Sequence, residues 1–350
     1  MKKLVDILKY VLLLALSGLL MAYAVRGQDL SKIGQALREA NYFWIGLTAL
    51  VSALGYFSRA YRWKMQLDAA NHRTSYWNVY HAMMVGYLAN LVLPRMGEVI
   101  RCSVLRRMGG IPVNVSLGTV ITERIIDVLV LFLLLGAVLV LEFGKFWDFV
   151  ASAVSDKAGV LEQRGSLLLG IAVILVVLSV LLLVLGIRNL ERLRRNQYFN
   201  KAVLFVRGIL SGVFSLRKVQ RQGLFWFHTF FTWLVYYLMD YLAFFAFAAT
   251  AGLGIVAALS VLTFGAFGMA APVQGGIGVF HLMVSRTLLV YGLTKEAGVA
   301  YALVIHGSQT LLVVLMGGIS FVASVLKSGR NVMSPKLDSA ETTVAHADER

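Results

Sequence analysis

Cysteine is nearly absent from this chain. Cys102 stands alone, which excludes an internal disulfide and a cysteine-built metal cluster. Charge is also scarce: 15% of the 350 residues are charged and 59% are hydrophobic, with a mean hydropathy of +0.75. That leaves too little polar surface for a soluble protein of this length and reads as an integral membrane protein. Proline is limited to four residues against 32 glycines, a balance that suits closely packed membrane helices. Catalytic signatures are missing too. The chain has no Walker A loop, no HExxH and no GxSxG, and His72 and His81 are too isolated to argue for a metal. No enzyme activity, cofactor or metal is therefore expected.

What charge there is has one sign in excess. The net charge is +15. In a membrane protein such a surplus reports cytoplasmic loops and anionic lipid head groups rather than nucleic acid. Apolar runs occupy residues 4–25, 42–57, 76–93, 115–141, 167–187, 224–249, 254–271, 277–291 and 299–326. The first, with Lys2, Lys3 and Ala22-Tyr-Ala24, resembles a signal peptide, but Asp6 and Lys9 favour a retained helix. Arg59, Arg62, Lys64 and Arg73 read as a basic loop, residues 142–164 as a loop of mixed charge, and residues 188–222 as a basic interfacial segment on the cytoplasmic side.

Two apolar runs break abruptly. One breaks at Asn90-Leu-Val-Leu-Pro-Arg-Met-Gly-Glu-Val-Ile-Arg101, the other at Ala271-Pro-Val-Gln-Gly-Gly-Ile-Gly278. If every run crossed the bilayer once, the basic stretch 188–221 would fall outside, against the positive-inside rule. Reading 76–107 and 254–291 as re-entrant hairpins removes the conflict. Then 24 of the 33 Lys and Arg lie inside and 7 outside, with Arg124 and Arg286 within the membrane. The expected fold is an all-α polytopic membrane protein in the cytoplasmic (inner) membrane, with both termini cytoplasmic. It has about six spanning helices and two opposed re-entrant hairpins in an inverted repeat, a design that places a site at broken helices. Residues 1–327 form one membrane domain and 328–350 a disordered tail.

The candidate site follows from the breaks and the buried charges. Arg95, Glu98 and Arg101 suit a phosphate-bearing head group, because guanidinium grips phosphate with a planar fork of donors; ordinary anchoring charge is the alternative. Glu123, Arg124 and Asp127 fall within an apolar run, where each charge costs on the order of 2.5–3.5 kcal/mol and calls for a partner or a cavity. They supply counter-charge, a proton site or a structural salt-bridge knot. Asp240, among Tyr236, Tyr237 and Tyr241, is a proton-coupling or head-group candidate unless it only bonds to those tyrosines. Gln274, Gly275 and Gly276 expose backbone to a ligand. His281, and the pair His306 and Gln309, are weighed against plain packing.

The four stretches Tyr61-Arg-Trp-Lys64, Asn90 to Arg101, Thr122-Glu-Arg-Ile-Ile-Asp127 and Pro272-Val-Gln-Gly-Gly-Ile-Gly278 together resemble the lysylphosphatidylglycerol synthase transmembrane family, also called the flippase-like domain family. The resemblance covers roughly residues 5–327. In multidomain members this membrane part is linked to translocation of aminoacylated phosphatidylglycerol, and a soluble C-terminal domain makes that lipid. About 24 residues follow the last apolar run here, so the expected inheritance is translocation without aminoacyl transfer. The implied partner is a membrane phospholipid, anionic or aminoacylated. Phosphate would sit on Arg95 and Arg101, with Arg59 and Arg62 guiding it at the cytoplasmic mouth. A membrane enzyme acting on a lipid-linked phosphate or sugar, and a non-transporting envelope-assembly protein, are the competing readings.

Overall fold

The computed structural model describes residues 15–155 and 219–333, and every regular element among them is helical. The first half holds α1 (Ala15–Val25), α2 (Leu30–Glu39), α3 (Tyr42–Ala69), α4 (Tyr76–Val92), α5 (Gly97–Gly109), α6 (Val113–Leu141) and α7 (Phe143–Ser155). The second holds α8 (Gln222–Phe244), α9 (Ile255–Ala270), a short 3₁₀ turn (Gln274–Gly276), α10 (Val279–Val290) and α11 (Lys295–Met333). Several of these helices begin at polar caps, as helix ends require. The Asp29 carboxylate accepts from the N–H groups of Ser31 and Lys32, and Asn41 accepts from Phe43 N–H. Ser75 accepts from Asn78 N–H. Gly110, at φ 70°, closes α5 in the left-handed conformation that glycine adopts without strain.

Both broken runs fold back on themselves. In the first, Asn78 donates to the Met108 carbonyl at 3.3 Å and Asn90 accepts from Gly97 N–H at 2.7 Å, an antiparallel register. A Cβ on Gly97 would run into the Gly86 carbonyl, and one on Gly86 would stand 2.7 Å from the Gly97 carbonyl. The arms therefore meet backbone to backbone, an approach that small residues permit. In the second, Ser260 pairs with the Tyr291 hydroxyl at 2.7 Å, and a Cβ on Gly268 would stand 2.8 Å from Phe280 Cα.

Each hairpin has its own core. Around the first pack Tyr56, Trp63 and Leu67 of α3, Met83 and Met84 of α4, Cys102 and Leu105 of α5 and Val120 of α6. Around the second pack Phe244 of α8, Ala258 and Val261 of α9, Val284 and Leu288 of α10 and Tyr301 of α11. Helix α11 touches both hairpins. Cβ atoms on its Gly317 and Gly298 would stand 3.1 Å from the Met84 carbonyl of α4 and 3.1 Å from Ser285 of α10.

The structure departs from the sequence reading in four places. Arg59, Arg62 and Lys64 are not in a loop, because α3 continues through Ala69; Glu123 and Asp127 of α6 meet the two arginines and Asp68, one turn on, meets Lys64, so the helix has no need to stop. Residues 143–155 are helical, since Phe143 stacks on Trp147 one turn on and Phe146 packs on Phe264 of α9 at 5.3 Å between ring centres. Helix α11 runs to Met333, past the expected tail boundary at 328. Among the described residues, two helices, Val113–Leu141 and Lys295–Ser328, are long and apolar enough to cross a membrane alone, and α2 with α3, bent by 77°, would make a third. Of the expected six spans, the run 4–25 is described only from Ala15 and 167–187 is not described, and α8, diluted by Trp, Tyr, His228 and Asp240, is not among the helices that qualify by length and composition. The run 167–187, the basic segment 188–218 and the tail 334–350 lie outside the described residues.

Candidate functional site

Glu123 is the hub of the first half. It is fully buried, and one oxygen accepts from Arg59 at 2.6 Å, Arg62 at 3.1 Å and Arg124 at 2.9 Å. The other accepts from Arg101 at 3.1 Å. One turn along α6, Asp127 takes Arg62 at 2.9 Å, Arg124 at 3.1 Å and Arg59 at 3.5 Å. Helices α3, α5 and α6 are thereby tied through two carboxylates one turn apart, as Glu123 and Asp127 share a face at i, i+4. Arg101 also lies with its guanidinium 4.5 Å above the Trp63 ring, a cation–π contact. Trp63 in turn donates to Thr119 at 2.9 Å.

Four arginines thus share two carboxylates. Several of their nitrogens, including Arg62 Nη1, Arg101 Nη1 and the Nε atoms of all four, have no hydrogen-bond partner. Buried guanidinium donors left this way are costly unless a ligand or water takes them. Arg59 and Arg62 are 8% and 0% exposed, so neither stands free at a cytoplasmic mouth.

The two breaks meet. The first ends α4 at Val92, and Arg95 adopts φ 63°, a left-handed conformation that is unusual for a non-glycine residue. The second carries Gly275, Gly276 and Gly278 at φ 55°, 78° and 85°. Gln274 reaches across and donates its amide to the Val92 carbonyl at 3.2 Å. Behind the second break, His306 Nε2 donates to the Gly275 carbonyl at 2.8 Å and His281 Nδ1 accepts from Gly278 N–H at 3.3 Å. The two imidazoles lie 4.9 Å apart.

Beside the meeting point lies a cavity of about 470 Å³. Eleven of the residues singled out in the sequence line it: Arg59, Arg95, Glu98, Arg101, Arg124, Asp127, Asp240, Gly275, Gly276, His306 and Gln309. Four do not. Arg62 and Glu123 stand behind the wall as ion partners, Gln274 latches the breaks, and His281 caps the second break. The cavity also shows Tyr87, Trp233 and Tyr236. Sequence reasoning did not single out Tyr87 and Trp233 as site residues, although Trp233, Tyr236 and Asp240 share one face of α8 at spacings of three and four. Tyr236 accepts from Arg59 Nη1 at 2.7 Å. A second, more open hollow of about 590 Å³ lies where α6 and α7 join, against the start of α9. Its Lys145–Glu142 pair, at 2.9 Å, is self-satisfied, with the Lys145 side chain half in solvent, so it offers a ligand little.

The arrangement supplies fixed guanidinium charge, two carboxylates outside the arginine cluster at Glu98 and Asp240, and a cavity walled by two broken helices. It can hold a small anionic group.

Comparison with known proteins agrees with a membrane protein. A family model described as "Lysylphosphatidylglycerol synthase TM region" matches residues 10–317. A stretch of 126 residues is 25% identical to the UPF0104 membrane protein MJ1595 of Methanocaldococcus jannaschii and covers 35% of this chain. That stretch spans 38% of the relative's own length. No solved structure matches.

Proposed function

This chain belongs to the lysylphosphatidylglycerol synthase TM region family, and on that premise we propose that it is a flippase-like transporter. A phospholipid, or another lipid carrying an anionic head group, is its cargo. The head group enters the cavity between the two breaks while the acyl chains stay in the bilayer. No bond is made or broken, so the chain acts as a carrier rather than an enzyme. In this reading the two hairpins are halves of an inverted repeat in the cytoplasmic membrane, with both termini cytoplasmic, and the site alternates between leaflets.

The observation that supports it best is the arginine surplus at the cavity. Arg95, Arg101 and Arg124 line the wall, and Glu123 and Asp127 are already shared among four guanidiniums. A phosphate brought between them meets charge-assisted donors that need no reorganisation. Arg95, exposed at the break, is the residue best placed to meet it first. The test is transfer of fluorescent phosphatidylglycerol between leaflets of phosphatidylcholine vesicles containing the purified protein. Transfer should exceed that of protein-free vesicles and fall at least about tenfold in Arg95→Ala, roughly the loss of one charge-assisted contact. Transfer equal to the empty vesicles, or unaltered in Arg95→Ala, would overturn the reading.

A further inference from the structure

Asp240 is the exception among the deeply buried carboxylates of this site. Glu123 is held by four arginines, whereas no cation lies within ion-pair distance of Asp240 among the described residues. Yet Asp240 is 4% exposed and lines the same cavity as the arginines.

Its surroundings explain why nothing neutralises it. Helices α3, α9 and α11 pack against α8. From α3 come Tyr56 and Arg59, but Arg59 is committed to Tyr236, Glu123 and Asp127. Helix α9 has no titratable residue. From α11, His306 lines the cavity with its Nε2 donated to Gly275. Tyr301, also on α11, gives its hydroxyl to the backbone carbonyl of Asp240 at 2.8 Å, not to the carboxylate. On α8 itself the neighbours are Tyr236, Tyr237 and Tyr241, and across the cavity stand Arg124 and Asp127 of α6. A carboxylate enclosed at membrane depth without a partner takes up a proton or a cation.

The charge count ties that carboxylate to the cargo. The cavity wall and its direct ion partners hold five arginines, at 59, 62, 95, 101 and 124, and four carboxylates, at 98, 123, 127 and 240. A proton on Asp240 therefore raises the net positive charge that an anionic head group meets. By linkage, the bound anion equally favours the proton.

We infer that Asp240 is the proton site of this cavity, and that its proton and the anionic head group bind together. The inference rests on the lipid reading above. The proton comes from water entering the cavity, goes to one carboxylate oxygen, and leaves when the head group leaves. Proton movement then accompanies lipid movement and gives the carrier a source of drive.

The experiment is calorimetric binding of short-chain dihexanoyl-phosphatidylglycerol to the purified full chain in detergent. It is run in two buffers of different ionisation enthalpy and over a range of pH. The wild-type protein should take up as much as about one proton per lipid, with affinity weakening by up to about tenfold per pH unit on the alkaline side. Asp240→Asn should bind the lipid with no such uptake and no such pH dependence. Tyr301→Phe, which removes the bond to the Asp240 backbone but keeps the carboxylate, should retain the uptake and serves as the folding control. Lipid binding without proton uptake, or uptake that persists in Asp240→Asn, overturns the proton role and leaves the lipid reading standing. An Asp240→Asn protein that melts before lipid is added is replaced by infrared difference spectra of the wild type. A protonated-carboxyl band that appears on adding the lipid supports the inference, and its absence with lipid bound overturns it. Failure of the wild type to bind the lipid at all overturns both.

Discussion

The Gln274 side chain, on one broken helix pair, donates to the Val92 carbonyl of the other at 3.2 Å. This single amide bridges the two breaks, and Leu91 packs beside it, 3.3 Å from where a Cβ on Gly275 would stand. A neutral hydrogen bond of this kind contributes about 1 kcal/mol, enough to bias a closed arrangement without locking it.

Gln274→Leu should loosen that contact. In a Leu91→Cys background, labelling by a water-soluble maleimide should rise roughly fivefold, the ratio that about 1 kcal/mol sets. Cys102 is fully buried and contributes little background. An unchanged labelling rate would show that the bridge does not hold the breaks together.

The two carboxylates of α6 should differ in their importance. Glu123→Gln leaves four guanidiniums around a neutral amide in a fully buried place, and breaking one side of a buried ion network costs about 3–5 kcal/mol. Asp127 is 18% exposed at its side chain, so Asp127→Asn should cost less. Thermal unfolding of the two variants in detergent would rank them; the reverse order would rule out Glu123 as the hub.

Arg95 tests whether backbone strain is kept for function. Its φ of 63° costs an L-residue with a Cβ about 1–2 kcal/mol that glycine escapes. Arg95→Gly should therefore be more stable than Arg95→Ala by about 1 kcal/mol, and lipid transfer should drop in both. Equal melting temperatures would mean that the left-handed conformation is not imposed by the fold.

Close approach in the first hairpin gives a steric test. Gly97→Ala drives a methyl group into the Gly86 carbonyl, where neither backbone can yield cheaply, and should lose at least about 2 kcal/mol. Gly118→Ala, on α6 with open space around it, should be neutral or stabilising by up to about 1 kcal/mol. Unfolding midpoints of both variants decide the matter.

Both breaks were legible because Pro94 and Pro272 interrupt apolar runs and the nearby glycines permit conformations other residues avoid. The charges Glu123 and Asp127 were legible because membrane helices rarely carry any. What the sequence concealed was pairing at a distance. Arg59 and Arg62 look like a solvated basic turn after Phe57, yet their counter-charges wait some sixty positions downstream, and that keeps α3 helical and the pair buried. Gln274 likewise looked like ligand-facing backbone, and only the approach of Val92 makes it a bridge. His281 has its purpose set by one neighbouring N–H. The helix over 143–155 escaped notice because its charged residues mask an aromatic face that gains meaning only against Phe264.

Helix α11 leans on α4 through Gly317 and on α10 through Gly298, so the two hairpins share one axle. On the carrier reading proposed above, a head group that pries at either break pushes on the same rod. With no side chain of α11 at either contact, and only Leu88 and Ser285 set against the two glycines, little stands between the helices to absorb a displacement. Alternation between leaflets, as proposed for this carrier, would make opening toward one face and sealing toward the other two ends of a single stroke, geared by two glycines.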